Sequence, residues 1–265
     1  MAQMTSGFDF TGPLGNVSAY RMRGVEKVIL RSKGGPTKSQ IKSHKHFRVT
    51  RLNNSEFGGR SRASKLIRRM LWPLQSVSDY NLAGPLTALV KAIQTMDSIN
   101  ALGKRSILLS QNGQPLEGFN LNKKTSLDAI IRNPLSCSLS RETLTARVEI
   151  PALLPGINFF VPGNHPFYSI TAVIGVVPDL FYSKNGYATS QKDYDNLYSY
   201  SVSSEWFATL EGSKANTLEV KYSAPIPDQA FGLMLSVGIQ FGTMGSGGVI
   251  QQIPYTGAGK IMVMG

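Results

Sequence analysis

The chain has 265 residues, with 28 Lys and Arg against 16 Asp and Glu, 42% hydrophobic residues, 26 glycines and 14 prolines. That composition excludes a wholly disordered chain, and its frequent Gly and Pro suit short strands and turns; a single cysteine, Cys137, excludes an internal disulfide. Residues 1–16 lack a cationic stretch followed by an apolar run, and apolar runs such as 170–177 are too short to span a bilayer, so the expectation is a soluble cytoplasmic protein.

Charge divides the chain. Residues 1–142 hold 22 basic against 8 acidic side chains, a balance of +14, whereas residues 143–265 hold 6 against 8, a balance of −2. Within the first part, residues 21–69 carry 15 basic side chains and only Glu26 and Glu56 as acids. Such a segment repels itself unless an anion lies nearby. The expected organisation is a basic N-terminal part, 1–142, and a β-sandwich domain, 143–265.

In chain order, Val17 and Ala19 followed by Val28 and Leu30 predict two short strands around a turn at Gly24. Residues 37–59 are poor in apolar residues and show no period, which predicts an extended arm or a loop. Residues 61–71 predict a helix with Ser61 as N-cap and Pro73 as the stop. At about 100° per residue, Ala63, Leu66, Ile67, Met70 and Leu71 fall on one face, with Arg62, Lys65, Arg68 and Arg69 opposite. No acid intersperses that cationic arc, whereas a surface built only for solubility mixes signs. Leu86, Leu89, Val90, Ile93 and Met96 predict a second helix, with Pro85 in its first turn.

Beyond residue 142 the apolar period becomes two. Leu144, Ala146, Val148 and Ile150 alternate with polar residues, as do Leu218, Val220 and Tyr222. Tyr198, Tyr200, Val202, Trp206, Ala208 and Leu210 share one parity and predict a strand whose apolar face buries Trp206. Phe231, Leu233, Leu235, Val237, Ile239 and Phe241 alternate with small or polar neighbours, and 170–177 is apolar on both faces. The fold class is therefore mainly β with a smaller α part: a C-terminal antiparallel β-sandwich of jelly-roll or Ig-like type, and an N-terminal basic α/β segment with two short helices.

No pattern supports an enzyme, a metal or a cofactor. His44 and His46 lie among lysines without a carboxylate or cysteine cluster, and His165 precedes Pro166 in a turn. Cys137 has no histidine within sequence reach. The stretch Gly257-Ala258-Gly259-Lys260 fails as a phosphate loop, because Pro254 stands where a glycine is needed and Ile261 where a Ser or Thr should be. Residues 242–248 suit a hairpin loop, and Asp193 with Asp195 do not complete a calcium cage.

The blocks Gly12-Pro13-Leu14-Gly15-Asn16 with Tyr20, Arg31-Ser32-Lys33-Gly34-Gly35, and Arg51-Leu52-Asn53-Asn54-Ser55-Glu56-Phe57-Gly58 resemble an uncharacterised protein family of the Bacteroidota, over roughly the first 70 residues. The resemblance implies a bacterial source. It carries no assigned activity and transfers no site residues.

The functional expectation is a non-enzymatic protein that binds nucleic acid or another polyanion through its basic segment, while the β-sandwich makes protein contacts. Lys42, Lys45, Arg48, Arg51, Arg60, Arg62, Lys65, Arg68 and Arg69 are the expected phosphate partners, with little base readout because few aromatics are interleaved there. The alternative is a structural subunit of a self-associating, coat-like or filamentous assembly whose basic arm packs on a neighbouring copy. A membrane is not an expected partner.

Overall fold

The computed structural model describes residues 2–3, 10–22 and 25–265. They divide into two compact units, Met1–Arg51 and Leu52–Gly265.

In the first unit, β1 (Ala2–Gln3), β2 (Gly12–Leu14), β3 (Val17–Tyr20) and β4 (Ile29–Ser32) form an antiparallel sheet in the order β1-β4-β3-β2. The two expected strands pair as β3 and β4, with Ala19 opposite Leu30. The turn at Gly24 lies outside the described residues. Downstream, Thr37 and Gln40 form a reciprocal capping box that opens α1 (Lys38–Ser43). A 3-10 turn, Lys45–Phe47, then leads into α2 (Arg48–Met70).

Residues 37–59 are thus helical over most of their length rather than an extended arm, and α2 starts at Arg48 rather than at Ser61. The reason is physical. α1 buries no side chain, so it needs no apolar face to betray its period. Gly58-Gly59 looks like a breaker, yet Gly59 is buried under the ring of Tyr187, which approaches to 2.7 Å from where a β-carbon would stand. A side chain there would push the ring away.

In the second unit, Ala63, Leu66, Ile67 and Met70 of α2 are buried, as their spacing requires. Pro73 ends that helix, and the chain continues as a 3-10 helix, Trp72–Val77, which buries Leu74 and Val77. α3 (Ala83–Thr95) buries Leu86, Val90 and Ile93, whereas Met96 is its exposed C-cap. Two single-turn helices follow, α4 (Leu109–Asn112) and α5 (Leu127–Ile130).

The strands of this unit are β5 (Ser136–Ser140), β6 (Thr145–Ile150), β7 (Phe167–Pro178), β8 (Phe181–Ser183), β9 (Gly186–Ala188), β10 (Tyr200–Ser203), β11 (Phe207–Ala208), β12 (Asn216–Lys221), β13 (Phe231–Met244) and β14 (Ile250–Met264). The main antiparallel sheet runs β10-β7-β13-β14, with β11 also on β7. A second sheet runs β12-β6-β5, and β8 with β9 form a hairpin.

The main sheet lies between two layers, which explains why β7 and β13 are buried on both faces. One face meets the helices: a β-carbon on Gly175 would come within 2.6 Å of the Met70 β-carbon. The other carries Tyr168, Ile170, Ile174, Leu235 and Ile239 towards the second sheet, whose Ala146, Val148, Ile150, Leu218 and Val220 are buried. The rings of Tyr200 and Tyr222 meet edge to face across that gap, 5.0 Å apart. The fold is mainly β with a smaller α part. Residues 52–142, basic by count, share one buried core with the strands beyond 143.

The predicted strand over 198–210 is corrected. It is two short pieces, β10 and β11, interrupted at 204–206, where the Ser204 hydroxyl accepts from the Ile170 backbone. β10 is an exposed edge, Tyr198 and Leu210 lie outside any strand in solvent, and Trp206 is half-buried against Gly242 rather than in the core.

Candidate polyanion-binding cleft

The nine expected phosphate partners fall into sets with different local roles. In the first unit Lys42, Lys45 and Arg48 are exposed. Arg51 instead donates to the carbonyls of Ile41 (2.7 Å) and His44 (2.9 Å), tying down the end of α1. Carbonyls at a helix end lack a full set of backbone donors, and the guanidinium supplies one to each; His44 also accepts from the Phe47 amide at 3.3 Å.

In the second unit, two arginines of the cationic arc are structural. Arg62 donates to the Tyr187 carbonyl (2.8 Å) and to the Asp195 carboxylate (3.0 Å). Arg69, seven residues on and therefore two turns along the same face, donates to the backbone carbonyl of Asp195. Together they clamp the 3-10 helix Lys192–Asn196 onto α2. Asp195 is thereby committed to arginine rather than to a metal ion. Arg60 lies in a shallow 460 Å³ groove between α2 and α3 with Phe57 and Lys91.

Lys65 and Arg68 remain. Both are exposed, and among the described residues neither has a hydrogen bond or an ion pair. They line, with Arg69, a cleft of 660 Å³ at the end of α2. Its other walls come from the 3-10 helix and the loop after it (Trp72, Gln75, Ser78, Tyr80, Asn81, Leu82) and from Tyr255 of β14. The loop is well held: Ser78 Oγ donates to the Leu121 carbonyl at 2.8 Å, and Tyr80 donates to the Asn120 carbonyl at 2.9 Å. Lys123 sits 4.9 Å over the Tyr80 ring. Burial, with a smaller contribution from Asp79, pushes the Tyr80 hydroxyl above its ordinary range and keeps it protonated.

Among the described residues, no carboxylate lines this cleft. Unpaired cations beside aromatic faces can hold a phosphate and a ring together, but they supply no general base or nucleophile. The aromatic component is absent from the sequence expectation of little base readout. Trp72 is legible only as the residue that ends a helix. Tyr255 interrupts a strand after Pro254, and that interruption is its only sequence signal.

The other expected non-sites have structural roles. His165 packs beside Phe241 with ring centroids 5.3 Å apart, and His44 meets His46 edge to face at 5.5 Å. Burial raises the pKa of the half-buried Cys137 thiol, which disfavours a reactive thiolate. Residues 257–260 lie within β14, where Lys260 pairs with Asp128 at 2.8 Å, so they form no phosphate cradle. β13 and β14 are joined as a hairpin, but the loop is 245–249; residues 242–244 of the expected loop still pair within the sheet. Among the described residues, no group of three or more His, Cys, Asp and Glu is placed to hold a metal ion, and no helix is long and apolar enough to cross a membrane.

No family model matches the chain, and no curated protein or solved structure is significantly similar to it.

Proposed function

We propose that this chain is a non-enzymatic, cytoplasmic polyanion-binding protein whose second unit holds phosphates in the cleft at the end of α2. The observation that carries this reading is the state of Lys65 and Arg68. Both point cations into a concave site that has no acid among its described lining residues, while their neighbours Arg62 and Arg69 are already engaged. Lys42, Lys45 and Arg48 of the first unit are exposed and add to the net positive charge of the chain, which attracts anions.

The test is a salt titration of binding to labelled nucleic acid and to inorganic polyphosphate. With about five to six phosphate contacts, the log-log slope of affinity against salt is about −3.5 to −5. Lys65→Gln with Arg68→Gln should lower affinity for both probes and flatten the slope by about one to two. Affinity that ignores salt, or survives both substitutions, overturns the reading.

A separate feature supports protein contacts by the β strands, in the sense of a self-associating subunit. Exposed Leu154, Ile157 and Leu210 lie on two loops joined by reciprocal backbone hydrogen bonds between Leu153 and Ser213. Leu210 is 91% exposed. Grouped aliphatic side chains in water favour a partner surface. Light scattering of Ile157→Lys with Leu210→Lys tests this: a smaller particle than wild type supports self-association, and an unchanged one removes it.

A further inference from the structure

Building on the reading of the cleft as a polyanion site, we infer that it binds single-stranded nucleic acid, stacking bases on Trp72 and Tyr255 while Lys65 and Arg68 hold neighbouring phosphates. Trp72 is 69% exposed and Tyr255 is 73% exposed, and both line the cleft and a contiguous 440 Å³ hollow beside Pro73 and Pro254. Large aromatic rings normally bury most of their surface, so two of them held in water at one concave, cationic site are unusual.

Neither exposure comes from a loose backbone. Trp72 is flanked by the fully buried Leu71 and by Pro73, whose ring restricts the chain. Tyr255 sits in a bulge of β14. Gln252 pairs with Gly242 and Gly257 with Gln240, so residues 253–256 stand against Phe241 alone. Within that bulge Tyr255 has φ +59°, a left-handed conformation unfavourable for a residue with a β-carbon. Bulges re-aim side chains. Here the outcome is a ring lifted off the sheet into solvent, from which folding gains little burial. The bulged strand is also tied to the helix that carries Trp72, because Gln252 Nε2 donates to Ser76 Oγ at 2.7 Å.

The chemistry selects the ligand. An acidic peptide or an inorganic polyphosphate would use the cations and leave both rings idle. Duplex bases already stack on each other, so their faces are closed to side chains, whereas the bases of a single strand are open to an aromatic platform and every base offers one. The site therefore takes single strands with little sequence preference.

The experiment compares oligo(dT), a mixed-sequence duplex and inorganic polyphosphate as probes of the full chain. The chain has two tryptophans, so Trp206→Phe leaves Trp72 as the sole indole reporter. In that background oligo(dT) should quench the emission and polyphosphate should not. Trp72→Leu combined with Tyr255→Asn, which tolerates the left-handed backbone, should weaken oligo(dT) about tenfold or more and polyphosphate less than about twofold. Should the pair melt below wild type, the quenching result decides. No quenching together with unchanged oligo(dT) affinity, or equal affinity for duplex and single strand, overturns the stacking inference. The polyanion reading survives that result when Lys65→Gln with Arg68→Gln still weakens polyphosphate, and fails separately when it does not.

Discussion

Glu56 of α2 accepts two hydrogen bonds from the Arg105 guanidinium, each 2.7 Å, with Glu56 itself 3% exposed. One of its oxygens also accepts the Gly103 amide at 2.9 Å. The carboxylate therefore joins α2 to the loop between α3 and α4. Glu56→Gln keeps the shape but leaves a guanidinium short of its charge partner. The expected loss in urea unfolding at neutral pH is about 2 to 4 kcal/mol, below the full cost for a sealed pair because Arg105 retains some solvent contact. Burial raises the Glu56 pKa, but the Arg105 and Gly103 hydrogen bonds and the charges of Arg105 and Arg60 outweigh it, so the net shift is downward. A lowered folded-state pKa means stability that is present above the ordinary carboxylate range and lost as pH falls through the folded value. The variant and wild type should accordingly converge in acid.

Asp97 offers a second pH readout. Burial opposes its ionisation, yet its carboxylate accepts from the Asn100 side chain and from the backbone amides of Ile99, Asn100 and Ser106, and its pKa falls to about 2. Its contribution should be complete above about pH 4 and should vanish as pH falls towards 2. The stability difference between wild type and Asp97→Asn, followed by melting temperature across that window, should shrink in acid. A difference independent of pH would show that the carboxylate charge is not what closes this turn.

The cationic arc of α2 separates into two pairs with opposite phenotypes. Arg62→Gln and Arg69→Gln release the Asp195 segment and should each destabilise the protein by about 0.5 to 1.5 kcal/mol. Lys65→Gln and Arg68→Gln touch no protein partner and should leave the melting temperature within about 1 °C, since exposed unpaired charges contribute little. Thermal melts beside binding titrations check both. Equal destabilisation by the two pairs would contradict the division.

Gly175→Ala should destabilise by about 2 to 3 kcal/mol, because the added methyl meets the Met70 β-carbon at 2.6 Å and its γ-carbon at 2.8 Å. The β-carbon is attached to the helix backbone and cannot swing aside. Coupling to Met70→Gly, which removes that β-carbon, tests the cause: the double variant should recover part of the loss attributed to Gly175→Ala.

What could be read from the chain depended on whether burial imposed a period. The core face of α2 and the strands around Val148 and Val220 were legible, because one side of each element is removed from water, whereas β13 around Leu235 is buried on both faces and shows its parity through small residues such as Gly232, Ser236 and Gly238. α1 was hidden because nothing on it is buried, and only the Thr37–Gln40 cap marks it. Tyr198 to Leu210 misled for the opposite reason: an alternating pattern sits on a broken edge that the second sheet covers only in part, at Tyr200, so parity carried little information about burial. Lys65 and Arg68 stood out by charge. Trp72 and Tyr255 did not, since they come together only through the pairing of β14 with its neighbours and the Gln252 to Ser76 bond.

The bulge in β14 also decides how the sheet ends. β14 is an edge strand, and an open edge is a template for unwanted strand addition. Towards its C-terminal half the edge is occupied: Gly118 donates to Ile261, Ile261 to Phe119, and Leu121 to Gly259. In the other half Pro254 removes a donor and residues 253–256 leave the ladder, so a foreign strand finds no continuous row of partners there. Amyloid-like extension from this side is blocked by the same four residues that raise Tyr255. Strand-to-strand growth of this sheet would have to begin at β10 and β11, two short pieces of four and two residues.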